Sequence, residues 1–192
     1  MKLSCECGKV TGEIVNANAN SGIRVVCCCD DCQTFANHLN KTDQTLDEFG
    51  GTEIYQTSQS QVVIHTGLDQ LQCLRLKPKG LLRWYTGCCN TPVANTVSAG
   101  MPFAGMINTF WHKDNNPDAD IGPVRAYVQT QHATGTPTYP KASAKFPLGI
   151  TLHIMRKMLG WKVRGMSKPS VFFKDGRPAV KPVLVFENTE VG

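Results

Sequence analysis

No stretch of this 192-residue chain is apolar for long enough to cross a bilayer. The opening Met1-Lys2-Leu3-Ser4-Cys5 also lacks the apolar run that a signal peptide needs. Together these absences argue against a membrane-spanning protein and predict a cytoplasmic, reducing setting, where clustered thiols serve as metal ligands more often than as disulfides. Internal repeats and low-complexity tracts are missing, which excludes solenoids and long disordered linkers. Histidines are few and badly spaced for metal: His38, His65, His112, His132 and His153 show no ligand spacing to one another. His38, six residues past a cysteine cluster, is the best placed of them as a fourth ligand or proton carrier.

Acids are almost absent from one region. Residues 141–182 hold ten Lys or Arg against one acid, Asp175, whereas the first 140 residues hold ten basic and twelve acidic ones. All of the net charge of +5 therefore lies in the last quarter. Such a tail is either a solvated face or an attractor of nucleic acid, anionic membrane or a small anionic substrate. It lacks the aromatic interleaving that nucleic-acid binders use, which argues against that partner.

Elsewhere the composition is ordinary for a globular protein, 41% hydrophobic and 18% charged, and the length suits one domain or a domain with an appendage. The first hundred residues read as mainly β. Short Val-, Ile-, Thr- and Tyr-rich segments cut by turn residues predict antiparallel strands at Leu3–Glu6, Val10–Val15, Ile23–Cys28, Glu53–Thr57, Val62–His65, Leu71–Lys77, Leu81–Tyr85 and Val93–Val97. Asp30 to Leu39 predicts a short helix capped by Asp30 or Asp31. Val124–His132 fits helix or strand equally. Leu148, Leu152, Met155 and Leu159 recur at helical spacing, so a helix near 148–160 is expected, buried along that face and stopped by Gly160. The fold class is thus mainly β, α+β overall, with a helical and basic C-terminal extension.

What the chain has in excess is cysteine, nine in all, eight of them in three clusters: Cys5-Glu6-Cys7, Cys27-Cys28-Cys29-Asp30-Asp31-Cys32 and Cys88-Cys89. Thiols at such short gaps, far apart in sequence, suggest one or two metal ions, zinc by default because thiolate-rich tetrahedral sites favour it. Cys5 and Cys7, read as strand residues, would share a face and need partners from elsewhere. Cys88 and Cys89 can supply them, one ligating and the other packing or completing the shell. Cys27, Cys29 and Cys32 could seat a second ion and leave its fourth position open, the mark of a working site. Cys28 would face the core, as would the solitary Cys73. A redox reading of Cys29-Asp30-Asp31-Cys32 is weaker, because two aspartates oppose the thiolate that such chemistry requires.

In order and spacing these clusters resemble the glutathione-dependent formaldehyde-activating enzyme family. The resemblance runs through Cys5-Glu6-Cys7-Gly8-Lys9-Val10, then Cys27-Cys28-Cys29-Asp30-Asp31-Cys32-Gln33, then Arg83-Trp84-Tyr85-Thr86-Gly87-Cys88-Cys89-Asn90-Thr91-Pro92, covering residues 1 to 98. It implies a β-tent-like antiparallel scaffold over 1–98, with residues 99–192 as an extension packed on it. It also implies structural zinc ligands at Cys5, Cys7 and Cys89, with Cys88 as a further candidate, and a working zinc at Cys27, Cys29 and Cys32. Thr86 stands where the family places a cysteine, and Asn90 where it places a glycine. Either Cys88 supplies the fourth thiolate, or water completes the site, or the site is weakened. The implied activity is carbon–sulfur lyase chemistry on a glutathione or other small anionic thiol adduct, its charge met by the basic tail. The alternative is a non-catalytic zinc-stabilised module that binds a partner protein, favoured by the lack of an acid–base pair near the clusters. The sequence leaves the oligomeric state open.

Overall fold

Alternation of apolar and polar residues forms strands wherever turn residues bound it. A computed structural model describes residues 1–186. Its first hundred residues contain β1 (Lys2–Ser4), β2 (Thr11–Ile14), β3 (Ile23–Cys27), β4 (Thr52–Thr57), β5 (Val62–Thr66), β6 (Leu71–Arg75), β7 (Leu82–Thr86) and β8 (Pro92–Thr96). Two helices, α1 (Asp30–His38) and α2 (Thr42–Thr45), lie between β3 and β4. Downstream come β9 (Ala104–Ile107), α3 (Pro117–Ile121), β10 (Ala126–Val128), α4 (Leu148–Val163), and the short strands β11 (Phe173–Lys174), β12 (Arg177–Pro178) and β13 (Val183–Leu184). The protein is mainly β, α+β overall, and no described helix is long and apolar enough to cross a membrane.

The main sheet has the order β10-β3-β4-β9-β8-β7-β6-β13, antiparallel except at its two edges, where β10 and β13 pair in parallel. A second sheet, β1-β2-β5, packs with it around Leu3, Ile14, Tyr55, Trp84, Met106 and Phe110. Cys73 lies in this core, 1% exposed, and burial pushes its thiol up to about 12. Residue 98 marks no break in the sheet. β9 lies between β4 and β8, so the extension supplies a central strand and both edge strands. The ambiguous Val124–His132 segment resolves into β10.

Two helix expectations need correction. The N-cap of α1 is Cys29, and Asp30 and Asp31 occupy its first turn. The second correction concerns α4. Its face Leu148, Leu152, Met155, Leu159 is exposed at 74%, 52%, 60% and 64%. The face turned to the protein is instead the buried Trp161 with the half-buried Ile150 and Ile154, the latter two packed on the cluster of Ile23, Val25, Cys27 and Cys32. The helix carries two apolar faces, and the one bearing the large Trp161 ring, 5% exposed, removes more apolar area from water. Gly160 is not the stop. Gly165 N–H bonds Lys162 O at 3.0 Å and Met166 N–H bonds Trp161 O at 2.9 Å, with Gly165 at φ +68°, a paired closure that needs a left-handed residue.

Candidate metal centre

Two groups of thiols converge. Cys5, Cys7, Cys88 and Cys89 bring their sulfurs within 4.8 Å of one another, and so do Cys27, Cys29 and Cys32.

The first group joins two turns. Cys5 and Cys7 sit just past β1 and not on a strand, because Cys5 N–H bonds Val10 O and Gly8 N–H bonds Cys5 O, folding the chain back on itself. Gly8, at φ +74°, permits that bend. The opposing turn between β7 and β8 is closed by Asn90 N–H on Thr86 O. Asn90, at φ +56°, adopts a left-handed conformation that glycine takes freely and asparagine tolerates. This explains how asparagine can stand there. The same tight turn brings both adjacent cysteines into the group: Cys7 and Cys88 sulfurs lie 3.3 Å apart, Cys5 and Cys7 3.6 Å, Cys88 and Cys89 3.7 Å, and Cys5 and Cys88 3.8 Å.

Thr86 contributes no thiol but still serves the turn. Its hydroxyl accepts from Thr91 N–H and lies 3.3 Å from Cys89 Sγ, with the Thr91 hydroxyl 3.2 Å away on the other side. Burial raises the Cys89 thiol, but these hydroxyls and the Cys7 backbone N–H outweigh it and bring it down to about 6. The thiols that converge here are thus Cys5, Cys7, Cys88 and Cys89, while Thr86 holds the turn.

The second group sits where β3 runs into α1. Cys27 ends the strand, Cys29 caps the helix, and Cys32 returns one turn later. The hydrogen bond from Cys27, then that from Cys32, draws the Cys29 thiol down to about 2 despite its burial, and Cys32 N–H at the helix start adds to the effect. Cys32 goes the other way, to about 12: the Cys27 contact lowers it, but the charge-sharing Cys29 and its own burial prevail. Of the three, Cys29 is the sulfur whose surroundings most favour the thiolate. Cys28, fully buried, faces away toward the Tyr139 hydroxyl at 3.8 Å, and that hydroxyl donates to Asp47.

A cavity of about 350 Å³ opens beside Cys27, Cys29 and Cys32. Its floor is a cross-strand row, Gln56 on β4, Gly105 on β9, Asn95 on β8 and Arg83 on β7, each directly opposite the next. A methyl group on Gly105 would press on Ile54 and Phe103 at 3.1 and 3.2 Å, so glycine there keeps the row open. Arg83 is 2% exposed, held by Asn95 Oδ1 at 3.2 Å, by Asp31 at 3.7 Å and over the Phe35 ring at 5.4 Å. Lys77 reaches Asp31 from the rim at 3.2 Å. His132 lines the same cavity with Nδ1 2.9 Å from Asp30 Oδ2. His38, by contrast, is exposed at the far end of α1 and does not line the cavity. None of the Lys or Arg residues from 141–182 lines it either, so the cations facing it come from β7 and the loop before it, not from the basic tail. Arg83 and His132 are single residues without a spacing pattern; only the arginine, inside the matched Arg83–Pro92 segment, had any signal in the sequence.

Comparison with curated proteins finds no match. A protein of Rhodobacter sphaeroides, solved as a structural-genomics target, is similar over 65% of this chain and 97% of its own, with 18% identity and a TM-score of 0.44. A family model matches residues 1–182, nearly the whole length that carries both thiol groups and the strands around them, and the chain accordingly belongs to the family of unknown function DUF6151.

Proposed function

We propose that the protein is a zinc protein whose Cys5, Cys7, Cys88 and Cys89 hold a structural ion, and whose Cys27, Cys29 and Cys32 form a working site for small anionic thiols. Zinc–sulfur bonds of about 2.3 Å in a regular tetrahedron place sulfurs about 3.8 Å apart. The four sulfurs of the first group, at 3.3–3.8 Å for the closest pairs, fit that requirement with little movement. The second group offers three thiols and an open side. A zinc ion held there would supply a soft position that accepts a substrate sulfur.

The observation that carries the reading is the cavity itself, in which three thiols, a buried arginine and a histidine–carboxylate pair meet. Three thiolates and a divalent ion sum to a charge of −1, which Arg83 balances from the sheet floor. Lys77, two-thirds exposed, is free to swing toward a ligand carboxylate. The substrate class we infer is a glutathione or similar thiol adduct of a carbonyl compound, and the reaction a carbon–sulfur cleavage. In it the adduct hydroxyl loses its proton, C=O forms, the carbon–sulfur bond breaks and the sulfur leaves as thiolate. His132, with Nδ1 turned to Asp30, has Nε2 for that proton once the neighbouring Gln131 amide, 2.8 Å away, moves aside. Phe103, Phe146 and Leu81 form the apolar sides of the cavity. Asp30 and His132 supply the pair whose absence favoured the protein-binding alternative.

Calorimetry tests this directly. Glutathione titrated into the zinc-loaded protein should bind with an affinity that falls as salt rises, since its carboxylates meet partly exposed cations. Cys29→Ser should remove the binding and leave the melting temperature in place. No heat at millimolar glutathione would sink the thiol-adduct reading and put the binding module first.

A further inference from the structure

We propose that α4 is a docking helix for an anionic lipid surface, lying in the plane of the headgroups with its apolar stripe toward the acyl chains. The stripe is Leu148, Leu152, Met155, Leu159 and Val163, the last 79% exposed, and it runs the whole helix, about 24 Å for 16 residues. At about 100° per residue these five side chains fall within an arc of about 80°, bordered by Lys162 on one side and Arg156 on the other. Basic residues at the edges of an exposed apolar stripe can reach up to phosphate while their stems stay with the apolar face.

The surroundings carry the same sign. No Asp or Glu occurs between Asp120 and Asp175. Among the described residues, Arg156, Lys157, Lys162 and Arg164 form no ion pair. Beside the stripe lies a cavity of about 520 Å³ lined by His153, Arg156, Lys157 and Arg164, with Asn20 and Ser21 opposite. Burial, and after it the nearby Arg164, pushes the Lys157 ammonium down, and its partner in the cavity wall is the neutral Asn20 carbonyl. A phosphate headgroup supplies a counter-ion, and Arg156 belongs to both the cavity and the stripe border.

Charge also selects the occupant. A second copy of this face would set bases against bases. A nucleic acid would answer the cations but leave five large apolar side chains in water. A lipid surface with acidic headgroups answers both. Because Ile150 and Ile154 on the opposite face rest on the core that holds Cys27 and Cys32, the docked helix would keep the protein body, folded, above the membrane plane.

The test is flotation of the full-length protein with vesicles of phosphatidylserine and phosphatidylcholine in equal parts, against vesicles of phosphatidylcholine alone. Binding should appear with the first, fall with salt, and be weak with the second. Leu152→Asp and Leu159→Asp should each weaken it by about tenfold or more, and Arg156→Glu by about fivefold or more. All three should melt like the parent, since those side chains are already exposed. Absence of vesicle binding, or equal binding to both vesicle types, overturns the proposal. So does a concentration-dependent dimer that Leu152→Asp dissolves while vesicle binding is unchanged, or oligonucleotide binding in its place.

Discussion

Cys7→Ser is expected to unfold the protein under conditions where the parent is fully folded. Cys7 is exposed and lies outside the core, so the substitution removes one proposed sulfur ligand and almost no packing. Metal bound by segments that only the folded chain brings together contributes folding free energy directly, on the order of 10 kcal/mol for a structural zinc. Total stabilities of domains run to about 5–15 kcal/mol, so losing most of one such ion consumes the margin. Circular dichroism melting and metal analysis should show the variant with at least one ion fewer and no cooperative transition. Cys73→Ser, a change inside the core and outside both thiol groups, should keep the full metal content. A Cys7→Ser protein that retains its melting temperature and its metal would remove the structural role from the first group.

Arg83→Met should cost the second group about 10–100-fold in metal affinity, the usual effect of removing a partner just beyond the ligands. Methionine preserves much of the stem that packs over Phe35 but withdraws the buried cation that lines the cavity beside the three thiols. Competition against a graded chelator reads this as an earlier release of one ion, with the other released as in the parent. Glutathione binding should weaken in parallel, because an incoming thiolate raises the negative charge further. An unchanged chelator curve would mean that Arg83 serves only Asn95 and Phe35 on the sheet floor.

The sequence announces those strands in which Val, Ile, Thr and Tyr alternate with polar residues, and the thiols, because C-x-C and C-x-x-C gaps are rare by chance. It hides β9, where Ala104-Gly105-Met106-Ile107 offers neither alternation nor β-branching until its last residue, yet all four are buried in the middle of the sheet. Gly105 is there for the space it leaves, which no propensity records. Helix α4 misleads for a different reason. Its two apolar faces are comparably strong in pattern, and only the tertiary fit of Trp161 decides between them. The cysteine turns are legible as candidate ligands but not as geometry. That Cys88 and Cys89 could both face Cys5 depended on a left-handed Asn90, which a spacing argument cannot see. His132 reaches the cavity only because β10 pairs with β3, a pairing that spans a hundred residues.

The position of β9 sets an order of assembly. On one side of it the sheet is β10-β3-β4, which carries the three thiols; on the other it is β8-β7-β6-β13, which carries Arg83 and Asn95. The two halves share no ladder except through this strand, so the thiols and their buried cation meet only after β9 has zipped both seams. During synthesis the cysteines emerge first, the arginine next, and the strand that unites them last. Contacts this distant in sequence close slowly, because the loop entropy is spent before the ladder forms. Until then β4 and β8 present unpaired backbone edges, the kind that other chains can extend. Metal arriving before that closure would meet three thiols without their counter-charge.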